Sequence, residues 1–578
     1  MSAVVPERPA PSGKYAPRQW LPHERPMMPG SPSTPNHRTA LRWAYAIVGF
    51  IVAITGGLGN ALVSANLLNL QGTLGAYASE VAWLPAAYVM TNVSMNLLLV
   101  KFRQQFGLRL FTEAFLVLYA LVTFAHLFVN DLNSAIAVRA AHGMVGAALS
   151  SLGLYYMLQA FPQKWRLKGL VIALGTSQLA MPIARIFSSD LLQIGEWRGL
   201  YVFELGLTLL SLGCVLLLKL PPGDRIKTFE KMDFLTFALF APGIALLCAV
   251  LALGRIVWWL EAPWVGIALA CSIALLSAAL AIEHLRKNPL LNTRWLASGS
   301  VLRLGLTMVL IRIVLSEQAT GAVGFLQAMG LNNDQLQSLF VVILLGTIAG
   351  VAASALTLNP AHLTAPVVFA LLMMAAGALV DAQATSLTRP ANMFVSQFLL
   401  AFGSAFFLGP AIISGLGGVI ADPRNLVSFS VLFGISQNLG GLIGSALLGT
   451  LQVVREKFHS SQIVEHLTLL DPQVAARVQA GAAAYGKVIG DPTLRSAQGV
   501  SSLGAVATRE ANVLAYNDIF MLIALIAVLT AVWLLGHDLL ARLRKPASPA
   551  HPAATASAAP THADASKAAH SASTPMVT

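Results

Sequence analysis

Arg139 and His142 stand three residues apart inside an otherwise small and apolar run. That spacing puts both on one helix face. An imidazole exchanges a proton near neutral pH, and an arginine beside it can hold a proton carrier in its charged form. Glu317 is the most deeply placed carboxylate in the second half, with Arg312 and Gln318 in the same run. A carboxylate in a water-poor cavity can take up and release a proton as its surroundings change. Arg312 lies five residues away, so the two are not expected to share a face. Arg139, His142, Glu317 and Arg312 are the proton-coupling candidates. Arg185 could recognise an anionic group, since a guanidinium binds carboxylates through two parallel hydrogen bonds. Asn60 and Ser64 are four apart, as are Asn92 and Asn96, and each pair makes a polar stripe that lines a cavity or joins helices. With Arg185 and Gln318 they are the substrate-cavity candidates. Glu113 and Glu204 are expected to be structural or interfacial, and Asp381 and Asp518 to close or open their spans.

Catalytic signatures are missing. The sequence contains no G-x-x-x-x-G-K-[ST] loop, no H-E-x-x-H and no C-x-x-C. His459 and His466 are not spaced as a metal pair, and Cys214, Cys248 and Cys271 lie in apolar segments, where they are expected to be small buried residues. No enzymatic activity, cofactor or metal is expected.

The elements that must position these residues are membrane spans. Of 578 residues, 56 % are apolar and 11 % charged, and the mean hydropathy is +0.69. Soluble chains carry about 25 % charged residues. The deficit excludes cytosolic enzymes, disordered regulators and nucleic-acid binders. The net charge of +12 does not point to nucleic acid either, because the bases sit in short gaps between apolar runs. A hydrocarbon core of about 30 Å needs roughly 20 apolar residues per helix. Fourteen such runs lie near 43–67, 81–101, 109–129, 134–160, 168–189, 199–219, 233–255, 264–284, 301–324, 335–358, 363–381, 391–416, 427–452 and 517–540. Among the short gaps, those after spans 2, 4, 6 and 8 are basic, whereas those after spans 1, 3, 5, 7, 9 and 11 hold little beyond Arg198, Arg255 and Arg389. The basic gaps, and both termini, are therefore expected on the cytoplasmic side. Residues 1–42 read as a disordered tail without a cleavable signal peptide, 541–578 as a low-complexity tail, and 453–516 as one long periplasmic loop in which short helices are plausible.

Local motifs add a resemblance. Trp83-Leu-Pro-Ala-Ala-Tyr88 follows Gly72-Thr-Leu-Gly75; Arg139-Ala-Ala-His142-Gly143 lies in span 4; Glu196-Trp197-Arg198 precedes span 6; Gln437-Asn438-Leu-Gly440-Gly441-Leu-Ile-Gly444 lies in span 13; and Ala515-Tyr516-Asn517-Asp518-Ile-Phe520 enters span 14. In order and spacing these resemble the fourteen-span drug:H⁺ antiporters of the major facilitator superfamily, the EmrB/QacA type. The resemblance implies an all-α polytopic fold of six, two and six spans. The halves would be 43–219 and 301–540, with an inserted pair in 220–300. It implies conformational-switch residues Lys101, Arg103, Gly107, Arg109 and Pro182. It also implies export of small amphipathic molecules across an inner membrane in exchange for protons, with a periplasmic adaptor and an outer-membrane channel as partners if the source has an outer membrane. Three departures weaken the case for antiport. The loop after span 2 keeps its bases but lacks the acid. Gly59 stands where span 1 usually carries Asp. Around Pro182 the usual glycines are absent, and Arg185 stands among their positions. A specific metabolite or siderophore exporter or a uniporter, without proton coupling, is the first alternative. A non-transporting sensor or assembly subunit is the second.

Overall fold

The computed structural model describes residues 20–21, 24–26 and 30–543. Among them fourteen helices are long and apolar enough to cross a membrane. They are α1 (Thr39–Ala65), α2 (Ala78–Phe106), α3 (Leu108–Phe128), α4 (Leu132–Ala160), α5 (Gln163–Phe187), α6 (Trp197–Leu217), α7 (Lys231–Leu253), α8 (Pro263–Leu285), α9 (Gly299–Ala328), α10 (Asn333–Thr357), α11 (Thr364–Asp381), α12 (Pro390–Val419), α13 (Leu426–Glu465) and α14 (Pro492–Leu543). The protein is an all-α polytopic membrane protein.

Local chemistry sets where these helices stop. Gly107 has a φ of +89°, a conformation that side-chain-bearing residues avoid, and it turns the chain between α2 and α3. Asp131 caps α4 by accepting from the Asn133 and Ser134 backbone N–H groups. The hydrogen bonds from Ser134 hold its carboxyl below the usual range. Pro182 has no N–H to donate, and the helix ladder of α5 is interrupted just before it, at Leu179. The chain folds back between α5 and α6, where a Cβ on Gly199 would meet the Leu191 carbonyl.

Small residues set the packing within each half. At Gly49 of α1 a Cβ would stand 2.8 Å from the Met157 backbone nitrogen of α4. At Gly346 of α10 it would stand 2.9 Å from the Phe398 carbonyl of α12. Such approach is open only to glycine and is the usual means of joining helices in lipid. The first half is built on α1 against α4 and α2 against α4, the second on α12 against α10 and α11 and on α9 against α13. The two halves meet along α2 with α13, and along α5 with α10 and α12. Helix α7 packs on α2 and α13, beside that seam. Helix α8 packs on α7 and turns Ile267 and Ile273 outward.

Two expectations are corrected. The tail before α1 is not free where it is described. Gly30 to Thr34 is buried under the ends of α2, α4 and α5 and the α6–α7 linker. Arg166 donates to the Thr34 carbonyl (3.1 Å), Gln159 to the Ser33 carbonyl (3.0 Å), and Ser33 N–H to the Pro222 carbonyl (3.0 Å). Trp20 donates to Asp224 (2.9 Å). The long stretch 453–516 is mostly a continuation of two spans. Helix α13 runs 40 residues and α14 runs 52, about 60 and 78 Å at 1.5 Å per residue, against a hydrocarbon core of about 30 Å. They stay together beyond the membrane through Gln452 with Asn512 (2.7 Å), and through Arg455 (2.6 Å) and His459 (2.7 Å) with Asp518. A short helix, Pro472–Ala484, packs back on α14 at Gly499. The C-terminal tail expected from 541 lies, from 544 on, outside the described residues.

Candidate functional site

Arg139 and His142 share a face of α4 and are both fully buried. Arg139 Nη1 donates to the Gly59 carbonyl (2.7 Å), and Nη2 donates to Asn60 Oδ1 (2.9 Å), both on α1. Nη1 also lies 3.2 Å from His142 Nδ1. An arginine cannot accept, so in this arrangement Nδ1 carries no proton. Arg139 therefore meets the imidazole as a donor. The other ring nitrogen, Nε2, lies 2.9 Å from Glu204 Oε1 on α6, off the axis of a good hydrogen bond. The Tyr119 hydroxyl of α3 donates to the same oxygen (2.7 Å), and Glu204 Oε2 has no partner. Tyr88 of α2 covers Arg139 at 4.6 Å. His126 lies 4.9 Å from His142 between ring centroids, stacks on Tyr201 and leaves its Nε2 without a partner.

Glu204, read from its place near the outer end of its span as structural or interfacial, is 1 % exposed and central to this cluster. Its position also accounts for Gly59. A Cβ at residue 59 would stand 2.6 Å from Glu204 Oε1 and 2.9 Å from His142 Cε1. The acid absent from α1 is replaced in space by one from α6. Tyr119, His126, Tyr88 and Tyr201 carry no sequence signal of this role. Glu204 does, because a carboxylate retained within an apolar span is costly.

The second cluster lies in the other half. Glu317 is fully buried at the start of a widened π-turn, Glu317–Ala322, in α9. Gln397 Nε2 of α12 donates to both its oxygens (3.1 and 3.2 Å) and to Asp381 Oδ2 (2.8 Å). Ser396 donates to Asp381 Oδ1 (2.5 Å). Asp381, expected to close α11 at the surface, is 3 % exposed. Arg312 is not part of this cluster: its Nε donates to the Gln437 carbonyl of α13 (3.0 Å) and it faces the seam. Gln318 bonds the Gln397 carbonyl (3.4 Å) and lines none of the cavities described below.

Three cavities lie along the seam and beside it. The inner one, about 380 Å³, opens toward the face of the basic loops and is lined by Asn96, Arg103, Arg312 and Gln437 among apolar walls. The outer one, about 1070 Å³ on the opposite face, is lined by Ser64, Arg185 and Arg255. A side cavity of about 260 Å³ reaches Asn60 and Ser64. Asn92 instead donates to the Gly143 carbonyl (3.2 Å) and joins α2 to α4. Arg185 donates to Asn333 (2.8 Å), which itself donates to the Ala65 carbonyl (3.1 Å), so the halves touch at the outer face.

The switch candidates divide. Arg109 pairs with Glu113 on its own helix (2.9 Å). Lys101 pairs with Asp233 of α7 (2.7 Å), which supplies the acid that the loop after α2 lacks. Arg286, just past α8, binds Asp233 (2.9 Å), Glu230 (2.9 Å) and Glu283 (2.6 Å). Burial opposes its charge, and the three carboxylate bonds outweigh burial and raise its pKa. Asn292, in the same α8–α9 linker as Arg286, donates to Asn425 (2.8 Å) at the α12–α13 turn. Gly107 and Pro182 shape the backbone as described, and Arg103 lines the inner cavity.

Comparison with known proteins follows the same lines. The family model described as Major Facilitator Superfamily matches residues 47–445. No curated protein sequence matches. Among solved structures, the human organic anion transporter MFSD10 (TETRAN) aligns with a TM-score of 0.50 at 13 % identity, covering 84 % of this chain and 99 % of that one. The proton:xylose symporter XylE, bound to 6-bromo-6-deoxy-D-glucose, aligns with a TM-score of 0.51 at 13 % identity, covering 86 % of this chain and 96 % of that one. At such identity these likenesses establish the fold alone.

Proposed function

The chain belongs to the major facilitator superfamily and is a secondary transporter on that fold, and we propose that it exports small amphipathic molecules by proton antiport. The observation that carries this reading is His142, fully buried, held between Arg139 and Glu204. An imidazole beside a carboxylate can hold an exchangeable proton in the physiological range. A proton arriving at Nδ1 would set N–H against N–H, so Arg139 must let go. Arg139 also ties α4 to α1 through Gly59 and Asn60. Proton uptake is thereby converted into a change in helix packing. Asn60 borders the side cavity on the outer face, which supplies a route for the incoming proton. The face of the basic loops is taken as cytoplasmic, with both termini there, in an inner membrane. The two halves rock about the seam. Glu317 with Asp381 is a second candidate carrier. The helical extension of α13 and α14 offers a periplasmic adaptor its surface.

The test is accumulation of fluorescent amphipathic dyes of both charges in bacteria lacking their own pumps. Cells expressing the chain should retain less dye, a protonophore should abolish the difference, and Glu204→Gln should match the protonophore. Dye loss that ignores the protonophore would replace antiport with uncoupled export.

A further inference from the structure

Resting on the transport reading, we propose that the substrate is an amphipathic organic anion, its acidic oxygens held by Arg312 and Arg103 in the inner cavity. No aspartate or glutamate lines that cavity among the described residues, whereas two arginines do. Arg103 is 4 % exposed, with its Nε closed off from water and without an acceptor. It lies over the Tyr155 ring at 4.7 Å and makes no side-chain hydrogen bond or ion pair among the described residues. Arg312 bonds only the Gln437 carbonyl through Nε, which leaves its terminal nitrogens unused among the described residues. Gln437 Nε2 is also buried without an acceptor. The guanidinium groups of two arginines thus border one space with no acid beside them. A charge left unpaired in a membrane interior is costly. A carboxylate, sulfonate or phosphate group would pair with them, and a cation would not. The walls are Leu154, Leu174, Ile412, Phe429 and Phe433, which fit an apolar body.

The pattern continues past the seam. Arg103 lies near the inner mouth, three residues before the end of α2, and Arg312 lies midway along α9. Arg185 and Arg255 line the outer cavity, where Asp334 is the one acid among the lining residues. Arg255 also lines the side cavity, which has no acid. Each of these three cavities presents a guanidinium, and Glu204, Glu317 and Asp381, buried within the two halves, line none of them.

The experiment is calorimetric binding to the full chain in nonionic detergent free of anionic lipid, so that no lipid headgroup stands in for the ligand. The probes are naphthoate, its neutral amide, and naphthylmethylammonium, which share one ring system. Naphthoate should bind at least about tenfold tighter than the amide, the factor given by about 1.4 kcal/mol, and the ammonium should be weakest. Arg312→Gln and, separately, Arg103→Gln should remove the preference while leaving amide binding in place, which also shows that the variants fold. Arg312→Lys should retain part of it. Equal or tighter binding of the amide or the ammonium overturns the proposal, as does no binding of any probe. Binding needs no gradient. Loss of protonophore sensitivity in the dye experiment with the naphthoate preference intact removes the coupling and keeps the substrate class, and the reverse result removes the substrate class alone.

Discussion

Moving the acid between helices tests the Arg139–His142–Glu204 cluster directly. A Cβ at residue 59 would stand 2.6 Å from Glu204 Oε1. Gly59→Asp alone therefore overpacks the site, at about 1–3 kcal/mol. It also sets a second carboxylate roughly 4 Å from the first, a repulsion of about 4 kcal/mol at an effective dielectric near 20. Glu204→Ala alone leaves the Tyr119 hydroxyl only its longer bond to the Thr55 carbonyl (3.3 Å) and removes the partner of His142. Losing a hydrogen bond to a charged acceptor costs about 1.5–3 kcal/mol. In the double variant the Asp carboxyl enters the volume that Glu204 leaves, so the repulsion and the clash with Glu204 Oε1 fall away, while the close contacts with the Tyr119 hydroxyl and His142 Cε1 stay in both Gly59 variants. The double variant should be at least about 3 kcal/mol more stable than the sum of the single changes predicts. Independent sites depart from additivity by only about 0.3–0.5 kcal/mol. Denaturant unfolding of the three variants in detergent, followed by tryptophan fluorescence, gives the cycle. Additivity within that margin would refute the argument that residues 59 and 204 compete for one space.

Other outcomes follow from the same contacts. Asp233→Asn leaves Lys101 and Arg286 facing one another without their shared acid, and should cost about 3 kcal/mol or more of stability in thermal unfolding, because Asp233 is fully buried. Glu317→Gln keeps an acceptor for Gln397 and removes one of two neighbouring carboxylates. Its melting temperature should stay within a few degrees of wild type, and a collapse would show that the pair is needed as ions. Burial lowers the His37 pKa; the Gln159 bond opposes this and the Arg42 charge reinforces it. The docked segment therefore favours neutral His37, keeps its full hold at neutral pH, and weakens as pH falls through the ordinary histidine value of about 6.5. Thiol labelling of Ser33→Cys, taken relative to the same thiol in the denatured chain to remove the falling thiolate fraction, should then accelerate below that pH, and His37→Gln should flatten the profile.

Hydropathy made the fourteen spans legible, because length and apolarity are properties of each segment alone. The pairing of Arg139 with His142 was legible for the same reason: helix periodicity is local. Glu204 is visible as a costly carboxylate in an apolar span, but neither its depth nor that of Asp381 is. Each sits near the end of its span, and distance along the chain was read as depth. Depth is set instead by neighbours: Tyr119 closes over Glu204, and Ser396 and Gln397 close over Asp381. The missing motif acids were visible as departures. Their replacements, Glu204 for Gly59 and Asp233 beside Lys101, come from other helices and exist only in three dimensions. The stretch 453–516 read as a loop because its polarity marks it as outside lipid. Polarity does not end a helix, and Arg455 and His459 against Asp518 hold the two rods together in water.

Those rods act as levers. From residue 453 to Glu465, α13 continues unbroken for about 20 Å at 1.5 Å per residue. Its tip therefore stands about 35 Å from the bilayer midplane if the hydrocarbon half-thickness is about 15 Å. A tilt of the second half by about 10° during rocking would sweep that tip through about 6 Å. Movement too small to follow near the pivot becomes large enough to measure between spin labels at the tip and on the first half. The same geometry exposes the cycle to drag: anything clamped on the tip acts with a long arm, and a modest grip there could stall the transporter without entering its cavities.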